Sequence, residues 1–159
     1  MRFWRVSSGE PGIYAPDDLT GEGARRYGAR WNAKGTPAVY ASYHLAMAVL
    51  ETLVHVGNRK QPESRYVVAI DVAESLLNDP VSGMIELPAG DLPKGWNANP
   101  PNVSQAFGAE RFKLKRIGFA APSAIIEEEL NVILNPLHPA FRRSVQSTVI
   151  REFAFDPRL

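Results

Sequence analysis

Six side chains are the candidates for chemistry. Arg30 stands in GARWNAKG, flanked by small residues and followed by an aromatic and an amide, an odd setting for a solubilising charge. A guanidinium offers a planar fork suited to phosphate or carboxylate. It could equally be a structural arginine that pairs with an acid across a sheet, and spacing leaves both readings open. Glu51, in HLAMAVLETLVH, lies one helical turn before His55. The two could share a metal, although a helix-surface pair is the commoner outcome of that spacing. Tyr40 is either core or a stacking surface with a hydroxyl handle. Ser123 follows Pro122, where a serine by default serves a turn. Asn131, set among apolar residues in LNVILN, must satisfy its amide if it faces inward, by organising a loop or touching a ligand. Arg5, between Trp4 and Val6, points into a cleft or stays a surface cation.

Other chemistries find less support. With no cysteine and three widely spaced histidines, no thiolate or histidine motif for a metal is present. No serine sits in a Gly-x-Ser-x-Gly elbow. Paired carboxylates would need a second acid facing Glu51, and nothing in their positions favours Glu86, Asp91 or Glu110. Gly21 to Gly28 (GEGARRYG) reads as a flexible segment whose main-chain amides could approach an anion, without Walker or dinucleotide spacing. The net charge of +1, from 18 basic and 17 acidic residues, leaves no electrostatic footprint for nucleic acid or an anionic membrane. The N-terminus lacks the apolar core of a secretory signal and no run is long enough to span a bilayer, so a cytoplasmic protein is expected.

At 159 residues, one domain spanning 1–159 is the natural expectation. Residues 1–7 alternate like a strand with two unlike faces, 9–20 read as loop, and AKGT supplies a turn with Gly35 free for positive φ. A strand over 37–42 should place Ala38, Tyr40 and Ser42 on one side. A helix over about 43–56 follows, its apolar stripe centred on Leu45, Val49, Leu53 and Val56 and widened by Ala46, Leu50 and Val54, with Glu51 at the border and Gly57 as C-cap. A polar loop over 58–64 leads to a continuously apolar strand over 65–72 that suggests burial on both faces. One helical turn over 73–77 is followed by a long irregular connection over 78–101, rich in proline and containing Trp96. A helix over 102–113, with Asn102 or Ser104 near its cap, precedes three strand candidates over 117–126, 130–135 and 147–155. Pro122 marks an edge, a bulge or the end of the first of these, with an acidic turn at 127–129 and another turn over 136–143. An α+β domain with a mixed, mainly antiparallel sheet fits best.

Taken together the motifs resemble the RES domain family, named for an arginine, a glutamate and a serine. The matching residues are Arg30 in GARWNAKGTPAVYAS, Glu51 in HLAMAVLETLVH and Ser123 in AAPSAIIEEELNVILNP; the NPLHP and FAFDPRL endings also look like the family's pattern. One departure is Ala29, where a second glycine would be expected. The resemblance implies an ADP-ribosyltransferase-like fold and the toxin half of a bacterial toxin–antitoxin pair, with NAD+ as substrate and no cofactor. The implied partner is a Xre-like helix-turn-helix antitoxin that covers the pocket, the pair forming a higher-order complex that binds operator DNA without direct DNA contact by this chain. The implied reaction breaks the nicotinamide–ribose bond by hydrolysis or phosphorolysis, though some members modify a protein.

By that resemblance Arg30 clamps the phosphates or orients the nicotinamide end, and Glu51 accepts a ribose hydroxyl and stabilises the developing cation. Tyr40 stacks near the nicotinamide and Ser123 holds or positions substrate, with Arg5 and Asn131 as further substrate-binding candidates. A different reading is a non-enzymatic module of a regulatory complex, for which the proline-rich segment around Trp96 would supply the partner surface.

Overall fold

In the computed structural model, which describes residues 1–9, 15–56 and 64–158, one seven-stranded sheet runs through the molecule in the order β4-β5-β6-β2-β1-β3-β7. The strands are β1 (Arg2–Ser8), β2 (Val39–Ser42), β3 (Arg65–Val72), β4 (Ile85–Glu86), β5 (Gly118–Pro122), β6 (Leu130–Leu134) and β7 (Val145–Phe153). All neighbours are antiparallel except β4 and β5. This is the α+β, mainly antiparallel arrangement expected. The β-branched run of β3 lies between β1 and β7, and its Val67 to Ile70 are almost fully buried. Pro122 ends β5, where its missing N–H costs the ladder nothing.

The described residues also form five α-helices, α1 (Glu22–Tyr27), α2 (Leu45–Val56), α3 (Glu74–Leu77), α4 (Asn102–Lys113) and α5 (Phe141–Ser144), and a 3-10 turn at Ala89–Asp91. One of the sequence expectations is corrected here. The segment read as flexible between Gly21 and Gly28 is the helix α1, flanked by those glycines at φ 71°. Its arginines are occupied: Arg25 and Arg26 both donate to Glu22. The cap of α4 is Pro101 with no capping side chain; Ser104 instead donates back to the Pro101 carbonyl at 3.1 Å. The expected C-cap Gly57, the loop up to residue 63 and the EPG of the first loop lie outside the described residues.

Two apolar clusters lie on the sheet. One joins Phe3, Val68, Ile70 and Val132 to Leu77 and Phe141. The other centres on Trp31, which stacks on Trp96 at 5.7 Å and meets the Phe119 ring edge-on at 5.9 Å. Gly108 permits this second cluster, because a Cβ there would fall 1.9 Å from the Trp31 carbonyl oxygen. Trp96 is therefore buried, 7% exposed. Its indole cannot offer the partner surface that the proline-rich connection suggested.

Candidate active site

A cavity of about 430 Å³ opens beside the middle of the sheet, within the range of about 300–1,000 Å³ typical of small-molecule sites. Its wall takes in β1 at Trp4 to Val6, the turn at Ala29 to Trp31, and β2 at Tyr40 to Ser42. Helix α2 covers it, and Asn99, Ile125 and Asn131 close the rim and floor.

The orientation of α2 differs from its apolar periodicity. Met47 and Ala48 are its buried residues, Ala46 and Val54 are exposed, and Leu45, Val49 and Leu53 are only half-buried, packed against neither core cluster. The cavity side is the row Ala48, Glu51, Thr52 and His55, spaced at i, i+3 and i+4. Glu51 thus faces the cavity and is not at a border of the core. Periodicity assumes that the buried face is the apolar one, and here the inward face also carries Glu51 and Thr52 over the cavity. No hydrogen bond joins Glu51 to His55; the carboxylate turns instead toward the sheet.

There it meets two donors. The Ser123 hydroxyl donates to Glu51 Oε1 at 2.8 Å, and Asn131 Nδ2 donates to the same oxygen. Ser123 accepts in turn from the Ile125 and Ile126 amides at 3.0 and 3.4 Å. Ser42 donates to Asn131 Oδ1 at 2.6 Å. Oε2 has no hydrogen-bond partner among the described residues, and Glu51 lines the cavity. Ser123 is 1% exposed and lies behind the carboxylate, off the cavity wall. From this place its hydroxyl holds Glu51.

Arg30 has no acidic partner among the described residues. Its Nη1 donates to the carbonyls of Trp96 and Ala98, both at 3.1 Å, which ties the proline-rich connection to the cavity mouth and brings Asn99 to the wall. Nε and Nη2 make no hydrogen bond among the described residues. The turn carrying Arg30 is built on Tyr40, whose hydroxyl accepts the Trp31 amide at 3.0 Å and donates to Asn32 Oδ1 at 2.8 Å. The Asn32 amide spends its own donors on the carbonyls of Ala24 and Thr36. Burial pushes the Tyr40 phenol well above its ordinary range, so it serves as a neutral hydroxyl. Its ring still lines the cavity.

Arg5 also reaches the cavity. Nη2 donates to the carbonyls of Pro16 and Asp18 at 2.8 and 2.9 Å, while Nε is buried without a partner among the described residues. Burial lowers its pKa, partly offset by the nearby Asp18 and Asp17. The Asp18 carboxylate is engaged by the Thr20 hydroxyl at 2.6 Å. Among the described residues the cavity therefore holds two guanidinium groups, neither hydrogen-bonded to a carboxylate, and one carboxylate held through a single oxygen.

All six sequence candidates converge on this place, five on its wall and Ser123 behind Glu51. Sequence reasoning missed Asn32, Ser42 and Thr52 and weighed His55 only as a partner of Glu51. The available signal was the alternation that set Ser42 on one side of β2 with Tyr40, and the polar amide of Asn32 beside Trp31.

Comparison with known proteins bears on the family and the fold. Residues 2–156 match the RES domain family. The chain is 38% identical over 159 residues to the "Prs ADP-ribosylating toxin" of Sphingobium sp. (strain YBL2), covering 99% of this chain and 95% of that protein. It is 36% identical over 148 residues to a "Toxin Res" of Photorhabdus laumondii, covering 92% and 90% respectively. In fold it is similar to a chain of the M. tuberculosis MbcT–MbcA toxin–antitoxin complex, with a TM-score of 0.68 at 19% identity over 99% of this chain and 85% of that one. The sequence match along nearly the whole length shows that the chain belongs to the RES domain family.

Proposed function

We propose that this protein is the toxin of a toxin–antitoxin pair and cleaves the nicotinamide–ribose bond of NAD+. The observation that carries the reading is the Glu51 carboxylate, held through Oε1 by Ser123 and Asn131 with Oε2 free, in a cavity that also presents Arg5 and Arg30. NAD+ carries a negative pyrophosphate and a positively charged nicotinamide ring. The two arginines suit the pyrophosphate, and Glu51 suits the ribose.

As the bond from ribose C1′ to the ring nitrogen breaks, its electron pair passes to that nitrogen and neutralises the ring. Nicotinamide leaves as a neutral molecule and the sugar becomes an oxocarbenium ion. Glu51 Oε2 accepts a ribose hydroxyl and its charge stabilises the cation, at no cost of reorganisation because Oε1 is already fixed. Arg30 and Arg5 hold the phosphates and Tyr40 offers its ring face to the nicotinamide, so that the substrate is positioned before the bond stretches. An acceptor oxygen then bonds to C1′ and loses its proton. NAD+ is consumed as substrate, with no further cofactor.

The acceptor in the first reading is water or phosphate, which depletes NAD+ and arrests growth in the cytoplasm. The second reading, transfer of ADP-ribose to a protein, is favoured by the name of the Sphingobium relative. NAD+ labelled in the ADP-ribose portion separates them. Label confined to small molecules supports depletion, and label on a macromolecule supports transfer. The structural likeness to a toxin–antitoxin complex supports an antitoxin partner. We take it to be a Xre-like helix-turn-helix protein that covers the cavity and carries the DNA contact of a larger operator-bound complex. Growth arrest on expression alone, relieved by co-expression of the adjacent reading frame, tests that role; normal growth with normal NAD+ under confirmed expression contradicts it.

A further inference from the structure

We propose that Ser42 is a positioning residue for the Glu51 carboxylate, acting through the Asn131 amide. The inference rests on the reading of Glu51 given above. Ser42 and Asn131 are directly opposed partners on the neighbouring strands β2 and β6, so their side chains share one face of the sheet. Ser42 is 2% exposed, and its hydroxyl donates to Asn131 Oδ1 at 2.6 Å. Asn131 Nδ2 donates onward to Glu51 Oε1.

The direction of this chain matters. An amide has one accepting and one donating end, and a carboxylate only accepts. Turned over, Asn131 would set Oδ1 against Glu51 Oε1, two acceptors facing each other at a half-buried site. A hydroxyl has a single proton, and Ser42 spends it on Oδ1, which keeps Nδ2 aimed at Glu51. Each bond polarises the next toward the carboxylate. Ser123 approaches Oε1 independently, from a turn at the end of β5. Ser42 therefore governs one of the two donors, and it does so without needing to touch substrate.

Steady-state NAD+ cleavage by the purified full chain tests this. Ser42→Ala should lower kcat roughly 5- to 20-fold with KM changed less than about twofold, since the loss falls on the group that stabilises the transition state. Ser42→Thr, which keeps the hydroxyl, should restore most of kcat. In an Asn131→Ala background Ser42→Ala should cost nothing further, because the two residues act as one relay. Wild-type kcat in Ser42→Ala, or losses that multiply in the double variant, overturns the proposal. Should Ser42→Ala fail to fold, Ser42→Cys, whose thiol is a weak donor of similar size, must show the same fall in kcat, and wild-type kcat in it is equally fatal. Glu51→Gln is assayed alongside. If Glu51→Gln retains activity the reading of the site fails, whereas an inactive Glu51→Gln with a wild-type Ser42→Ala overturns the role of Ser42 alone.

Discussion

The Ser123 hydroxyl and the Glu51 carboxylate, 72 positions apart in the chain, meet at 2.8 Å. One stands at the end of a strand and the other on a helix that covers the cavity, so the serine fixes the glutamate from behind. Asn131 reaches the same oxygen from β6. Consequences for function follow from which oxygen remains free.

Replacing Glu51 by Gln keeps the size of the side chain and an oxygen for Ser123 and Asn131, but removes the charge facing the ribose. Turnover of NAD+ should fall about 10²- to 10³-fold, comparable with the loss of one preorganised electrostatic group elsewhere. The melting temperature should hardly change. Initial-rate kinetics with calorimetry on the same preparation check both halves.

Ser123→Ala acts on stability as well as rate. It strips Glu51 of a donor and leaves the Ile125 and Ile126 amides without their acceptor. Unpaired groups of this kind cost about 1–3 kcal/mol. At about 2–4 °C per kcal/mol for a chain of this size, scanning calorimetry should record a lower Tm together with reduced kcat. An unchanged Tm would mean that water replaces the hydroxyl.

Arg30→Lys should behave unlike a conservative change. One guanidinium nitrogen clamps the Trp96 and Ala98 carbonyls and the rest of the fork stays available, a division that an ammonium point charge cannot reproduce. KM for NAD+ should rise about tenfold, equivalent to roughly 1.4 kcal/mol of binding. Limited proteolysis should cut the connection around Trp96 faster than in the wild type.

The acid response of α1 has a definite sign. Hydrogen bonds from Arg25, and then Arg26, hold the Glu22 carboxyl at about 2, below its ordinary 4.5. A depressed carboxylate stabilises the fold above its unfolded pKa, and that contribution is lost as pH falls from about 4.5 toward 2. Glu22 is exposed to solvent, so the effect is small and screened by salt. The Tm difference between wild type and Glu22→Gln should be greatest above pH 5 at low ionic strength and should shrink as pH falls through that window. A difference independent of pH would show that the ion pairs do not contribute.

Much of this arrangement was legible in the residues. The strand periodicities of β1, β2, β3 and β6 and the helical spans of α2 and α4 were plain, because each follows local alternation or composition. Arg30, Glu51 and Ser123 stood out through their motifs. The facing of α2 was not legible: Leu45, Val49 and Leu53 form the better apolar row, yet Met47 and Ala48 are buried, since the helix turns Glu51 inward toward donors on distant strands. Arg30 was weighed between a ligand and an acid, whereas its partners are main-chain carbonyls, which no side-chain pattern reveals. Trp96 looked available within a proline-rich stretch, but its burial depends on Trp31, which no local pattern ties to it. Interactions that join residues far apart in sequence leave little trace in either one alone.

On the proposed reading, Glu51, fixed through one oxygen, stabilises the ribose cation as the nicotinamide–ribose bond breaks. The most direct measurement follows free nicotinamide released from NAD+ by purified, partner-free protein, wild type beside Glu51→Gln. The account predicts steady release by the wild type and release reduced at least about 100-fold in the variant. No release by folded wild-type protein, in the presence of phosphate and of a cell extract as a source of acceptors, would contradict it, as would equal release by both proteins.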